Sequence, residues 1–185
     1  MITTTAIVAT DYYGYISHEG IPIGFCALNK TVRTLDQSML RHTLKKLLVK
    51  PDRTIIVMGE SSWKEVQGTK LADQIPASTL ICTAGTEGVT LDDRFHPYVE
   101  TDTLSEARRW IYSYALDSNV DQIIVLGGKS VYKAFQDHYS DVYHACIKAG
   151  IGKRGDKQWF IPSSKTVDVL YDDNDMRLQR IIYEG

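Results

Sequence analysis

Short apolar runs alternate with amphipathic stretches along most of this chain. Residues 6–9, 54–58, 78–83 and 123–126 are apolar through their centres, without a polar partner at every second position. Runs of this length predict strands buried on both faces. Helical patterns stand between them. Thr34 and Gln37 have capping-box spacing and predict a helix to about residue 49, stopped by Pro51. Thr103 and Glu106 predict another, to about residue 116. Residues 61–66 and 130–138 suggest shorter ones. Residues 11–25 hold four glycines and prolines among tyrosines and read as a long loop. Residues 142–149 predict a strand exposed on one side, and residues 150–156 a basic, glycine-rich turn. Residues 167–171 and 176–183 alternate and predict a closing antiparallel hairpin.

Strands separated by helices imply a single α/β domain over residues 1–185: a mostly parallel central sheet with flanking helices and an antiparallel C-terminal hairpin. In such sheets ligands sit beyond the carboxyl ends of the strands. Gly59 and the Gly127-Gly128 pair fall at two such ends. Length suits one domain with one core. A net charge of −2 gives no basic surface for nucleic acid or anionic lipid. No apolar run approaches membrane-span length, and the first residues lack a basic-then-apolar leader. A cytoplasmic monomer is the expectation. Cys26, Cys82 and Cys146 are odd in number and dispersed. His18, His42, His96, His138 and His144 show no ligand spacing, so neither disulfide nor metal is expected.

Two features carry candidate chemistry. At Gly127-Gly128 a strand runs into a helix start without side chains. Backbone can approach a ligand there, and helix amides can hold a phosphate. A plain strand-to-helix turn explains the same residues. The second is Asp36, which shares a helix face with Met39, Leu40, Thr43 and Leu47, while Arg41, His42 and Lys45 face elsewhere. An acid in a first turn favours the helix dipole by about 0.3–1 kcal/mol. Alternatively, a carboxylate in an apolar pocket grips an amidine-like ligand edge through two hydrogen bonds. Tyr12-Tyr13-Gly14-Tyr15 reads as a loop anchor before a ligand lid. Arg108-Arg109-Trp110 reads as a solvated helix face with one buried aromatic.

Taken together, the element order, Asp36 near a helix start, Met58-Gly59-Glu60-Ser61-Ser62-Trp63, Gly127-Gly128-Lys129-Ser130-Val131-Tyr132, and the opening Ala6-Ile7-Val8-Ala9 with Gly14, Ile16, Gly20 and Pro22 resemble dihydrofolate reductase over most of the chain. The resemblance implies NADPH-dependent reduction of dihydrofolate to tetrahydrofolate, feeding thymidylate and one-carbon metabolism. It implies that Asp36 holds the pterin's amino group and ring nitrogen and assists ring protonation. Ile7, Val8, Ile21, Leu40, Val66 and Leu71 would contact the substrate, with Leu126 and Tyr132 near the nicotinamide. Ala9, Gly59, Glu60, Ser61, Ser62, Thr83, Ala84, Gly127, Gly128, Lys129, Ser130 and Val131 would line the cofactor groove.

The chain departs from that pattern at identifiable places. Ile23 follows Pro22 where the family usually has tryptophan. Ala145 aligns with the threonine that supports the family carboxylate. No arginine stands in residues 74–77 for the folate glutamate, so a loosely held tail is expected, with Lys70 the nearest cation. Glu60 stands where a basic residue often meets the cofactor phosphates, which sets NADPH preference against like-charge repulsion. These departures mark a divergent member and leave a phage origin open. They also leave open a reductase of this fold acting on another heterocycle, such as a riboflavin-pathway pyrimidine, or a non-catalytic nucleotide- or protein-binding descendant.

Overall fold

In a computed structural model, the structure describes residues 1–18, 21–22, 30–59, 62, 66, 70–75, 80–84, 104–148, 155 and 157–183, with the backbone alone at 18, 21–22, 31 and 80–84. Strands β1 (Thr3–Asp11), β4 (Thr54–Gly59), β5 (Leu80–Ala84), β6 (Gln122–Gly127) and β7 (Asp141–Ile147) run parallel. Antiparallel β9 (Thr166–Asp172) and β10 (Met176–Ile182) complete one seven-stranded sheet in the order β5-β4-β6-β1-β7-β10-β9. The protein is therefore α/β with a mostly parallel central sheet and an antiparallel finish.

The uninterrupted apolar runs are explained by two cores, one on each face of the sheet. Ala6, Val8, Ile55, Val57, Ile123 and Val125 pack on one side with Ile111 and Ala115 of α3 (Leu104–Asp117). The alternate residues Ile7, Ile56, Met58 and Ile124 pack on the other with Leu44 of α1 (Lys30–Leu47). α3 begins on the residue after Thr103, which itself lies outside the described residues. Two short helices, α2 (Lys70–Gln74) and α4 (Lys129–Ala134), follow β4 and β6. None of the described helices is long and apolar enough to cross a membrane.

Several expectations are corrected. α1 starts at Lys30, not at Thr34. Its extra turn buries Val32 to 2% exposure against Ala145, Ile147 and Met176, and that packing outweighs a capping site at exposed Thr34. Asp36 consequently lies in the second turn, and the first-turn dipole explanation for it falls. Residues 11–25 are not simply a loop. β2 (Tyr15–His18) pairs with β3 (Ile21–Pro22) and with distant β8 (Lys157–Gln158) in a second, three-stranded sheet.

The turn into that sheet is held by Asp11, whose Oδ1 accepts the N–H groups of Tyr13 (2.8 Å) and Tyr15 (2.9 Å). Gly14 takes φ +84°, which a side chain resists. Tyr12 and Tyr13 are 77% and 71% exposed, so neither anchors the loop; Tyr15 packs near Val32. β7 lies between β1 and β10 instead of at an exposed position, with His144 and Cys146 half-buried. α4 stops at Ala134, short of residue 138. Arg108 is not purely solvated: its Nη1 donates to the Ala134 carbonyl at 2.5 Å and ties α3 to α4. Trp110 is half-buried and stacks on Tyr114. Of residues 150–156 only Gly155 is described.

Candidate active site

One cleft of about 860 Å³ opens along the carboxyl-end side of the parallel strands. Its floor is Ile7, Val8 and Ala9 of β1, Leu126 of β6, Tyr143 and Ala145 of β7, and Leu178 of β10. α1 supplies one wall through Asp36, Gln37, Met39, Leu40, Arg41 and Thr43. Ile16, Ser17 and Lys157 of the second sheet also line it, as do Lys70 and, in the same core as Leu40, Val66 and Leu71. Gly59, Ser62, Gly127, Gly128, Lys129, Ser130, Val131 and Tyr132 form a lip where β4 and β6 end and α4 begins, and Leu104 lines the cleft too.

Asp36 is the only carboxylate among the described lining residues, and it is 6% exposed. Burial removes water from its charged form and raises its pKa from 3.8 to about 6. No hydrogen-bond donor among the described residues reaches it. Ala145, buried in the same cleft, brings a methyl group and no hydroxyl.

Tyr132 rises from α4 and donates its hydroxyl to the Ile7 carbonyl at 2.6 Å, which fixes the ring at the cleft. Burial first, and the charge of Asp36 second, hold the phenol well above its ordinary pKa, so it stays a neutral donor. Its ring stacks on Trp159 at 5.0 Å between centroids, with 8° between planes.

The two glycines of the lip have different reasons to be glycine. Gly127 adopts φ +126°, and its peptide bond to Gly128 is cis. A Cβ on Gly127 would stand 3.2 Å from the Tyr132 hydroxyl, so both conformation and space exclude one. Gly128 has ordinary backbone angles, and its Cβ would meet only Ser62 Oγ at 3.5 Å. Gly59 closes the stack, its missing Cβ 3.3 Å from the Gly128 nitrogen. The lip is thus bare backbone beside the Ser62 and Ser130 hydroxyls and the Lys129 ammonium. The first helical bond of α4 runs from Tyr132 N to Gly128 O at 2.9 Å. The amides before it have no partner within the helix. This donor set suits the phosphates of a nucleotide cofactor.

Of the residues singled out from sequence, Ile7, Val8, Ala9, Asp36, Leu40, Gly59, Ser62, Val66, Leu71, Leu126, Gly127, Gly128, Lys129, Ser130, Val131 and Tyr132 line this one cleft. Ile21, Thr83 and Ala84 are described by backbone alone, on β3 and β5. Glu60 and Ser61 lie outside the described residues. Sequence reasoning missed Ser17 and Lys157, which pair between β2 and β8 across most of the chain and carry no local signal. It missed Tyr143, which the alternation along β7 could have pointed inward. It also set Arg41 away from the stripe of Asp36, whereas Arg41 lines the cleft. The chain matches no protein-family model, and no curated protein matches it.

Proposed function

We propose that this chain is an NADPH-dependent reductase of a dihydropterin, with dihydrofolate as its substrate. The observation that carries the reading is the buried carboxyl of Asp36, the only carboxyl among the described residues of the cleft and with its pKa at about 6, in a cleft that continues to a bare glycine lip. A carboxyl in that setting can accept two N–H groups from an amidine-like ring edge when ionised. It can hold a proton near neutral pH when it is not. A flat heterocycle fits between Ile7, Val8, Leu40 and Leu126, where dispersion and water exclusion favour it.

When bound, NADPH supplies the hydride. The remaining work belongs to side chains of this protein. Tyr132, locked to the Ile7 carbonyl, fixes the wall beside Gly127. Gly59, Gly127 and Gly128 let a cofactor lie against backbone, and Lys129 offers charge to its phosphates. Asp36 anchors the heterocycle and delivers the proton that hydride transfer requires.

The experiment mixes the purified chain with NADPH and dihydrofolate and follows loss of the near-ultraviolet absorbance of the reduced nicotinamide. Consumption that needs both compounds and falls by at least ~100-fold in Asp36→Asn supports the reading. Absence of dihydrofolate-dependent consumption, or an Asp36→Asn enzyme of normal rate, contradicts it.

A further inference from the structure

We propose that the cleft holds a second, uncharged recognition point, the hydroxyls of Thr43 and Tyr143, which takes a hydroxyl or carbonyl group carried on a short arm of the bound ring. The inference rests on the reading that Asp36 anchors that ring, and it adds the class of substituent the ring can carry.

Buried hydroxyls and carboxylates ordinarily have hydrogen-bond partners. Here the hydroxyls of Thr4, Thr5, Thr10 and Thr54 and the carboxylates of Asp11 and Asp141 all have them. The buried phenols of Tyr132 and Tyr139 both donate to backbone carbonyls. Thr43 and Tyr143 break the pattern. They are 5% and 4% exposed, and neither hydroxyl has a partner among the described residues. Both line the cleft, as does Asp36, the other buried polar side chain that no donor reaches. Unpartnered polar groups gathered on one cavity mark where a ligand completes the hydrogen bonding.

Their positions set them beyond the β1 floor. In register, Tyr143 stands beside Ile7, Ala145 beside Ala9, and Leu178 of β10 beside Ala145. All of these line the cleft, which therefore runs across the sheet from β1 to β10 on its α1 side. Seven residues along α1 bring Thr43 back to within about 20° of Asp36, about 10 Å further down the helix. Leu44 next to it, and Leu40 one turn before, pack in the cluster that contains Tyr143. The Arg180 guanidinium lies 5.7 Å from the centre of the Tyr143 ring and is held by Asp141, which steadies the ring. Burial keeps the phenol above its ordinary pKa, so at neutral pH it is an uncharged donor.

Two hydroxyls can both donate to a carbonyl oxygen, or one can donate to a ligand hydroxyl while the other accepts from it. An apolar arm leaves both unpaired. An anionic arm shares the cleft with the Asp36 carboxylate, and Arg180, whose charge is taken by Asp141, does not line it. The pair therefore selects uncharged oxygen.

The test titrates diaminopyrimidines whose amino groups flank one ring nitrogen, with a propyl or a hydroxypropyl arm on either free ring carbon. The wild type, Thr43→Val, Tyr143→Phe and Asp36→Asn are compared, and each is also melted without ligand. At one attachment point the wild type should bind the hydroxypropyl compound about tenfold or more tighter than the propyl one. Thr43→Val and Tyr143→Phe should each lose most of that preference. Their melting temperatures should be unchanged or higher, since neither hydroxyl serves the fold. Asp36→Asn should weaken all four compounds alike. Equal affinity of propyl and hydroxypropyl compounds at both attachment points overturns the subsite, as does a preference that survives both substitutions. A melting temperature lower by about 3 °C or more in either hydroxyl variant assigns that hydroxyl to the fold and removes it from the subsite. If Asp36→Asn binds all four as the wild type does, while the preference still vanishes in the hydroxyl variants, the subsite stands and the anchoring role of Asp36 falls. A wild type that binds none of the four overturns both.

Discussion

Asp36 costs the protein stability in the pH range where it would work. Its folded pKa of about 6 stands above the ordinary 3.8 because burial disfavours the carboxylate. Below about pH 4 both folded and unfolded chains hold the proton and nothing is lost. As pH rises to about 6 the unfolded chain ionises first, and folding loses up to ~3 kcal/mol, the cost then staying constant. Asp36→Asn is therefore expected to melt higher than the wild type at neutral pH, with the gain shrinking toward zero near pH 4. Scanning calorimetry across that window checks it, and a pH-independent difference would mean the carboxyl is not buried as described. The glycines give a second contrast. Gly127→Ala forces a side chain into φ +126° against Tyr132 and should cost about 1–3 kcal/mol. Gly128→Ala has room and should leave the melting temperature nearly unchanged while weakening NADPH binding, read by fluorescence titration. Equal effects of the two on stability would contradict this division.

Elements differed in how far the sequence disclosed them. β4 and β6 were legible because a strand buried on both faces must be apolar at every position, as Ile55-Ile56-Val57-Met58 and Ile123-Ile124-Val125 are. The hairpin β9–β10 was legible from its alternation, though not the irregularity that leaves Leu170 between the paired residues Val169 and Tyr171. That bulge, with Asp168 and Asp172 on the outer strand, discourages addition of another strand to an exposed edge that carries Val167 and Val169. The second sheet was illegible: strands of two to four residues leave no periodicity, and β8 lies far along the chain from β2. The start of α1 was misplaced because the capping signal at Thr34 is local, whereas Val32 is buried by β7 and β10. Val32→Ala should cost about 1–3 kcal/mol and fray residues 30–33, measured as faster amide exchange in that turn. Unchanged exchange would return the helix start to Thr34. The site was half legible for the same reason. Asp36 and the glycines announce themselves in sequence, but a helical wheel turns Arg41 away from the Asp36 stripe, and Arg41 lines the cleft all the same.

At the scale of the whole molecule, two titrating groups whose pKa values burial shifts oppose each other. His144 lies between β1 and β10, with Nε2 2.7 Å from Thr10 Oγ1 and Nδ1 3.2 Å from Gln179 Nε2. The Thr10 hydroxyl donates to the Asp11 carbonyl, so its oxygen accepts from Nε2–H, and Gln179 donates to Nδ1. The neutral ring is fully satisfied, and burial lowers its pKa from 6.5 to about 4. Its contribution to stability is present above about pH 6.5 and is lost as pH falls toward 4, by up to ~3 kcal/mol. Asp36 acts over nearly the same window with the opposite sign. The wild type should therefore show a nearly flat stability profile from about pH 4 to about pH 6.5, and His144→Gln should become more stable as the medium is acidified. Urea melts of both proteins across that range check the cancellation, and parallel profiles would refute it. The central claim is that Asp36 anchors a dihydropterin and supplies its proton. It is tested most directly by kcat/KM for dihydrofolate with saturating NADPH, measured from about pH 5 to about pH 8 in the wild type and in Asp36→Asn. The wild-type value should fall about tenfold per pH unit above about 6, as the free enzyme's carboxyl loses its proton, and the Asp36→Asn value should lie at least ~100-fold below the wild-type plateau under about pH 6, without that arm. A wild-type profile flat through pH 6, or the same arm persisting in Asp36→Asn, would contradict it.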